Sequence, residues 1–283
     1  MGETLWRIAG RPVDLSKHAF IMGVLNVTPD SFSDGGEFFT VEKAVEHGVR
    51  MASEGAQIID VGGESTRPGA EPVSAEEELA RVSPVIVKLR EKIPALVSID
   101  TTKAVVARGA LEAGAAIIND VSGGQADPEM MNLAAEKKAA IILMHMQGTP
   151  RTMQTNPHYA DVVTEVADFF RQQYTRALES GIDSMAIAFD PGIGFGKTVE
   201  HNLELLSNLS RLRIHDRPIV AGISRKSSLG QMVGSTQMSD RLAPTIAFTA
   251  LMRERGANVL RVHDVKENAA ALRVTERLLG TRK

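Results

Sequence analysis

Phe20-Ile21-Met22-Gly23-Val24-Leu25-Asn26 is an apolar run that stops on a side-chain amide. It is too short for a typical helix, and it is near-continuous rather than alternating, as expected of a strand buried on both faces of a parallel sheet. Seven further runs share this build, at residues 57–61, 97–100, 116–119, 141–145, 185–189, 219–222 and 259–262. They end at or beside Asp60, Asp100, Asn119, His145, Asp190, the Ser224-Arg225-Lys226 turn, and Arg261 with His263. Amphipathic, helix-like stretches separate most of them. Parallel strands need a crossover, usually a helix, to bring the chain back to the same end of the sheet. Eight such units predict an α/β fold, a (β/α)8 or TIM barrel, whose strands all deliver their C-terminal ends to one mouth. Polar residues far apart in the chain are therefore expected to face a single pocket.

The length, 283 residues, suits one barrel, and a hydrophobic content of 43% suffices for its core. We expect a single domain over 1–283, with residues 1–17 forming a hairpin around Gly10-Arg11-Pro12 and 18–283 the barrel. A net charge of −3 without a basic stripe argues against a nucleic-acid partner. With no cysteine, disulfides, thiolate metal sites and thiol nucleophiles are excluded. The N-terminus lacks an apolar signal core and no run reaches membrane-spanning length, so a soluble cytoplasmic protein with no membrane partner is expected.

Between the strands, the pattern predicts a first helix over 41–54, a fifth over 160–180 stopped by Gly181, and a closing helix over 266–280. Turn formers at Asp30, Asp34, Gly35 and Gly36 mark a lid after the first strand. Ser74 and Glu77 have the spacing of a capping box, and Pro84 should kink the helix that follows. Asp127 is placed to cap a helix with Pro128 at its first position.

Gly192-Ile193-Gly194-Phe195-Gly196-Lys197-Thr198 invites a phosphate-loop reading, but the nucleotide pattern needs glycine where Pro191 stands and the dinucleotide pattern needs it where Lys197 stands. A nucleotide cofactor is rejected; the glycines either let backbone approach a ligand or shape a turn. Singly, Asp100, Asn119 and Asp190 read as helix caps. Together with Lys226 they place two carboxylates, an amide and an ammonium at one mouth, a set suited to a flat heterocycle with N–H donors on one edge and a carbonyl on another. Arg261 and His263 alternate on the last strand and so share a face. They suit an anion such as phosphate, the alternative being an ion pair with Asp264 or a neighbouring loop acid. His145 has no metal-ligand spacing to another histidine and reads as a hydrogen-bonded core residue. Met144 could wall a ring. Asp60 and Glu64 are spaced to cap or to bind Arg67, and Ser224, Ser227 and Ser228 lack companions for a hydrolase triad.

The segments 23–36 (Gly23-Val24-Leu25-Asn26-Val27-Thr28-Pro29-Asp30-Ser31-Phe32-Ser33-Asp34-Gly35-Gly36) and 60–69 (Asp60-Val61-Gly62-Gly63-Glu64-Ser65-Thr66-Arg67-Pro68-Gly69) resemble the two signature loops of the dihydropteroate synthase family. Ser98-Ile99-Asp100-Thr101, Ile118-Asn119-Asp120, Met144-His145-Met146, residues 190–197, Ser224-Arg225-Lys226-Ser227 and Arg261-Val262-His263-Asp264 extend the resemblance, in order, over nearly the whole chain. Ile193 departs from members that carry Phe there, and Val121-Ser122-Gly123 from members with a more basic segment. Neither departure touches a residue given a polar role.

The resemblance implies a (β/α)8 barrel of folate biosynthesis that joins 4-aminobenzoate to 6-hydroxymethyl-7,8-dihydropterin diphosphate. It implies that Asp100, Asn119, Asp190 and Lys226 hold the pterin, with Met144 and Phe195 against its ring. Arg261 and His263 would take the diphosphate, with Thr66 nearby, and Asn26 would ligate Mg²⁺ on it. Phe32, Thr66, Arg67, Pro68 and Ser227 would line the 4-aminobenzoate pocket. Catalysis would then rest on Lys226, Arg261, His263, Asp100 and Asp190, in a homodimer that sulfonamides target. The implied route is dissociative: diphosphate departs with help from Mg²⁺, and the loops at 28–39 and 64–70 exclude water. The nearest rivals are a pterin-dependent methyltransferase barrel, which would not require the 28–36 and 65–69 loops or the Arg261/His263 pair, and a non-catalytic pterin-binding homologue, which would have lost part of the polar set.

Overall fold

The computed structural model describes residues 3–28, 40–65, 70–149 and 151–281. A two-stranded antiparallel hairpin, β1 (Leu5–Ile8) and β2 (Arg11–Asp14), precedes eight parallel strands. These are β3 (Phe20–Asn26), β4 (Ile58–Gly62), β5 (Leu96–Asp100), β6 (Ile117–Asp120), β7 (Ala140–Met144), β8 (Ile187–Asp190), β9 (Val220–Ala221) and β10 (Val259–Val262). Each pairs with its sequence neighbour from β3 to β8, and β10 lies between β9 and β3. The circle closes through one bridge, Phe189 to Ile219, with Phe189 N donating to Pro218 O at 2.9 Å. The expected (β/α)8 barrel with an N-terminal hairpin is the fold observed.

Helices α1 (Val41–Glu54), α2 (Ala75–Lys92), α3 (Ala104–Glu112), α4 (Met130–Lys137), α5 (Val162–Glu179), α6 (Val199–Ser207), α7 (Ser227–Met232), α8 (Leu242–Glu254) and α9 (Val265–Gly280) surround the strands. Local details depart from expectation in two places. Ser74 Oγ caps α2 by accepting from Glu77 N at 3.1 Å, but the Glu77 carboxylate pairs with Arg81, so only half of the capping box forms. Pro84 lies inside α2, where the pattern places it, and the helix runs on to Lys92. Asp127 sits ahead of α4, whose N-cap is Glu129: one carboxylate oxygen takes the Glu129 N–H at 3.0 Å and the other caps α3 across the chain, accepting from Ala104 N at 2.8 Å.

Strand periodicity sorts the core into two sets. Ile21, Leu25, Ile59, Val61, Val97, Ile99, Ile118, Ile141, Leu143, Phe189 and Leu260 face the helices. Met22, Ile58, Ile117, Ala140, Ile142, Ala188, Val220 and Val259 fill the barrel interior, where Trp6, Ile8 and Leu15 of the hairpin segment join them. Trp6 is fully buried and its indole N–H donates to Ala186 O at 3.0 Å. The hairpin is thus the floor of the barrel, and the opposite end is left for chemistry.

Candidate active site

The inward parity that is apolar at the floor turns polar at the mouth. Two residues above Ile58 comes Asp60; two above Ser98, Asp100; two above Ile117, Asn119; two above Ala188, Asp190; and two above Val259, Arg261, with His263 next. Asn26 and Met144 end β3 and β7 on the same parity. Strand register aligns them: Asn26 pairs with Gly62, Gly62 with Asp100, Asp100 with Asn119, and Met144 with Asp190. A Cβ on Gly62 would lie 3.5 Å from Asp100 Cβ and 3.9 Å from Asn26 Oδ1, and one on Gly222 would lie 3.6 Å from Asp190 Oδ2 and 3.7 Å from Arg261 Cβ. The two glycines therefore keep the rim open between the polar groups.

Arg261 organises the floor of this pocket. Its Nε donates to Asp60 Oδ2 and its Nη2 to Asp100 Oδ2, each at 2.7 Å, while Asn119 Nδ2 donates to the same Asp60 oxygen at 3.0 Å. Asp60 therefore belongs to this network; the pairing with Arg67 read from the sequence falls on a residue outside those described. Glu64 accepts from Lys103 at 2.6 Å and from Val73 N at 3.0 Å. The other oxygens of Asp60 and Asp100 are buried without a partner among the described residues. Burial pushes the Asp100 pKa up to about 7 against the pull of Arg261, with Asp60 adding to the rise. Burial likewise raises the Asp190 pKa, opposed by Lys226 and by a 2.7 Å hydrogen bond from Gly192 N to Asp190 Oδ1. Burial also lowers the Arg261 pKa, but Asp60 and Asp100 outweigh it and hold the guanidinium charged.

Lys226 follows β9 and reaches back over the glycine-rich loop. Its ammonium donates to Ile193 O and stands 4.3 Å above the centre of the Phe195 ring. Burial, with Arg261 nearby, brings its pKa down to about 7 despite Asp190. His263 accepts or donates at Nδ1 with Ser224 Oγ at 3.1 Å, and its backbone N–H bonds the same oxygen. Asp264 does not pair with Arg261: Arg225 holds it through two hydrogen bonds of 3.0 and 2.5 Å.

The glycine-rich loop serves a close approach of backbone to backbone. Gly192 has φ +65° and a Cβ there would fall 1.9 Å from His145 O; Gly196 has φ +62° and would meet Gln147 O at 2.4 Å. Only glycine fits either position. His145 is the buried, hydrogen-bonded residue expected, its Nδ1 being 3.0 Å from Lys197 Nζ.

Asn26, Asp100, Asn119, Met144, Asp190, Phe195, Lys226, Arg261 and His263 thus gather at one mouth. Phe32, Thr66, Arg67 and Pro68 lie outside the described residues, as do most of the expected lid and the side chain of Ser227. Asp60 and Ser224 stand at the mouth as the strand ends predict but carry no role in the sequence reading, and Lys197 is not foreseen as part of the site. For Asp60 the signal was available, since it shares inward parity with Ile58.

Among the described residues no three acidic or histidine side chains converge as a metal cage, and no helix is long and apolar enough to cross a membrane.

Residues 22–263 match the family model described as pterin binding enzyme. The chain is 45% identical to the dihydropteroate synthase of Escherichia coli K12 over 273 residues, which covers 96% of each chain. It superposes on the Xanthomonas albilineans dihydropteroate synthase bound to 4-aminobenzoic acid with a TM-score of 0.92 and 44% identity, covering 99% of this chain and 100% of that one. Against the same enzyme in complex with 7,8-dihydropteroate the TM-score is 0.88 at 42% identity, covering 98% and 99%.

Proposed function

This chain belongs to the dihydropteroate synthase family of pterin-binding enzymes, and we propose that it joins 4-aminobenzoate to 6-hydroxymethyl-7,8-dihydropterin diphosphate, giving 7,8-dihydropteroate and diphosphate. The observation that carries the reading is the Asp100 carboxylate. One oxygen is held by Arg261 at 2.7 Å and the other is buried with no partner among the described residues, an acceptor shaped for the N–H edge of a heterocycle. Asp190 offers a second acceptor, Asn119 and Lys226 serve ring nitrogen and oxygen, and Met144 and Phe195 flank the ring.

The reaction breaks the bond between the pterin methylene carbon and the diphosphate oxygen, forms one to the arylamine nitrogen, and releases an amine proton. In the dissociative route we favour, the departing diphosphate leaves a cation delocalised into the dihydropterin. Buried carboxylates at Asp100 and Asp190 favour that charge more than water would, because the pocket's dipoles are already oriented. Arg261 spends two of its donors, Nε–H and one Nη2–H, on Asp60 and Asp100, so its two Nη1 hydrogens and the second Nη2 hydrogen, with His263, are what it brings to the leaving group. The arylamine attacks neutral, so no fixed general base is required.

The donor set at Asn26 fits Mg²⁺. A single neutral amide oxygen beside the diphosphate position suits an ion that takes most of its ligands from water and phosphate. When bound it would neutralise charge on the leaving oxygens. Phe32, Thr66, Arg67, Pro68 and Ser227 would line the 4-aminobenzoate side, and the reading includes a cytoplasmic homodimer.

The deciding assay mixes purified protein, Mg²⁺, pterin diphosphate and 4-aminobenzoate and looks for 7,8-dihydropteroate, with and without a chelator. Absence of product under all conditions sinks the reading. For the route, ¹⁸O placed in the bridging ester position should scramble into non-bridging oxygens of recovered substrate. Strict retention, with an α-deuterium effect near unity, would favour direct displacement.

A further inference from the structure

We propose that Lys197 is a positioning residue for the pterin ring: its ammonium ties the 192–197 loop to the end of β7 and thereby sets where Lys226 and Phe195 stand. The inference rests on the pterin reading of the site.

Lys197 is only 3% exposed. Its Nζ lies 3.0 Å from His145 Nδ1, 3.3 Å from His145 O, 3.1 Å from Gly192 O and 2.9 Å from Phe195 O. An ammonium can only donate, so the imidazole accepts at Nδ1 and carries its hydrogen on Nε2. Burial first, and Lys197 second, lower the His145 pKa to about 3, which keeps that ring a neutral acceptor at neutral pH. The Lys197 ammonium itself is brought down to about 7 by burial and by Lys226, against Asp190. The Tyr159 ring completes its surroundings, with a centre 6.0 Å away.

The consequence lies in the loop's carbonyls. Gly192 O and Phe195 O bond Lys197, Ile193 O bonds Lys226, Gly194 O accepts from Gln154 Nε2 at 2.7 Å, and Gly196 O accepts from Tyr159 Oη at 2.8 Å. Every carbonyl from 192 to 196 is thus held by a side chain. Of these side chains, it is Lys197 that spans both ends of the loop and the end of the strand beside it. Phe195, whose carbonyl it holds, carries the ring beneath Lys226; Gly192, whose carbonyl it also holds, donates to Asp190. Loss of the ammonium would take the side-chain donor from His145 O and Phe195 O, leave Gly192 O with only the Phe195 N–H at 3.0 Å, and let the loop shift away from Asp190 and Lys226.

The test uses Lys197→Met, which keeps the apolar stem and removes the donor. The expected result is affinity for pterin diphosphate, by calorimetry, lower by about tenfold or more, with the KM for 4-aminobenzoate within about twofold of the parent. A general folding defect would instead lower the active fraction and leave both constants alike. Lys197→Ala should regain pterin affinity when ethylammonium is added, whereas tetramethylammonium, with no N–H, should not restore it. Should neither variant fold, Tyr159→Phe removes a different tie on the same loop, and the same one-sided loss is expected. Parent-like pterin affinity in a folded Lys197→Met or Tyr159→Phe protein overturns the inference while the functional reading stands. Failure of the parent itself to bind pterin diphosphate overturns both.

Discussion

Asp60 Oδ2 takes the Nε hydrogen of Arg261 at 2.7 Å, and Asp60 is entirely buried. The same oxygen accepts from Asn119, so one carboxylate on β4 orients side chains from β6 and β10. Removing one partner of a buried ion pair costs more than the pair contributes, because the remaining charge loses both water and partner. Asp60→Ala should therefore lower stability by about 3 kcal/mol, moderated by the Arg261 contact with Asp100. Asp60→Asn, which keeps an accepting oxygen, should lose less. Urea unfolding checks the order; equal losses would show that charge, and not geometry, is what Asp60 provides.

Asp100 holds its proton in the folded protein up to about pH 7, against 3.8 for the ordinary side chain. Between those values the folded state binds more protons than the unfolded one, so this group makes stability fall as pH rises through that window. The cause is burial, which Arg261 only partly offsets. Asp100→Asn removes the titration. The difference in melting temperature, variant minus parent, should therefore be more positive at pH 8 than at pH 5, while pterin binding is lost. A difference independent of pH would mean that Asp100 titrates normally.

Lys226 has the opposite sign. Its pKa, lowered by burial to about 7, means that the ammonium is lost as pH rises above neutrality. Affinity for pterin diphosphate should decline from pH 7 to pH 9, and Lys226→Met should show weak binding that no longer varies with Lys226 ionisation. Calorimetry across this range is the check. An alkaline limb unchanged in the variant would assign it elsewhere, with Lys197 the next group to test.

The barrel was legible because short, near-continuous apolar runs that stop at or beside a polar residue, such as Ile58-Ile59-Asp60-Val61, recur between helical stretches and can be read without any tertiary information. The mouth followed from topology, since parallel strands bring Asp100, Asn119, Asp190 and Arg261 to one end. What stayed hidden were partnerships. For Asp60 the sequence offers Arg67, seven residues on, which lies outside the described residues. It gives no sign of Arg261, 201 residues away, which reaches Asp60 because β10 pairs with β3 and β3 with β4. Lys197 was hidden for another reason: a lysine after a glycine-rich turn looks exposed, and only the fold reveals the carbonyls that surround it. The capping box at Ser74 failed halfway because Arg81, one turn on, competes for Glu77.

The barrel floor offers a test remote from chemistry. Trp6 belongs to the hairpin yet packs with Met22, Ile58 and Val259 of the barrel interior. Trp6→Ala should cost about 3–5 kcal/mol, the range for a large buried aromatic. The polar mouth lies at the opposite end, so KM values measured well below the melting temperature should stay near those of the parent. A change in pterin KM as large as the change in stability would show that the floor is coupled to the mouth.

Gly192 provides the sharpest local test of the loop. Its φ of +65° is strained for any side chain, and a Cβ would stand 1.9 Å from the carbonyl oxygen of His145, a backbone atom that cannot rotate away. Gly181 also has a positive φ, +87°, but a Cβ there meets only Ala135 Cβ at an ordinary 3.7 Å. The two sites separate conformational strain from steric collision. Gly181→Ala should cost about 1 kcal/mol from backbone strain alone and leave turnover intact. Gly192→Ala must move either the loop or the end of β7, and with it the Gly192 N–H that bonds Asp190. It should therefore lose pterin affinity and stability together, beyond the Gly181→Ala loss. Similar stability and binding in the two variants would mean that the loop can stand off from His145 without disturbing Asp190.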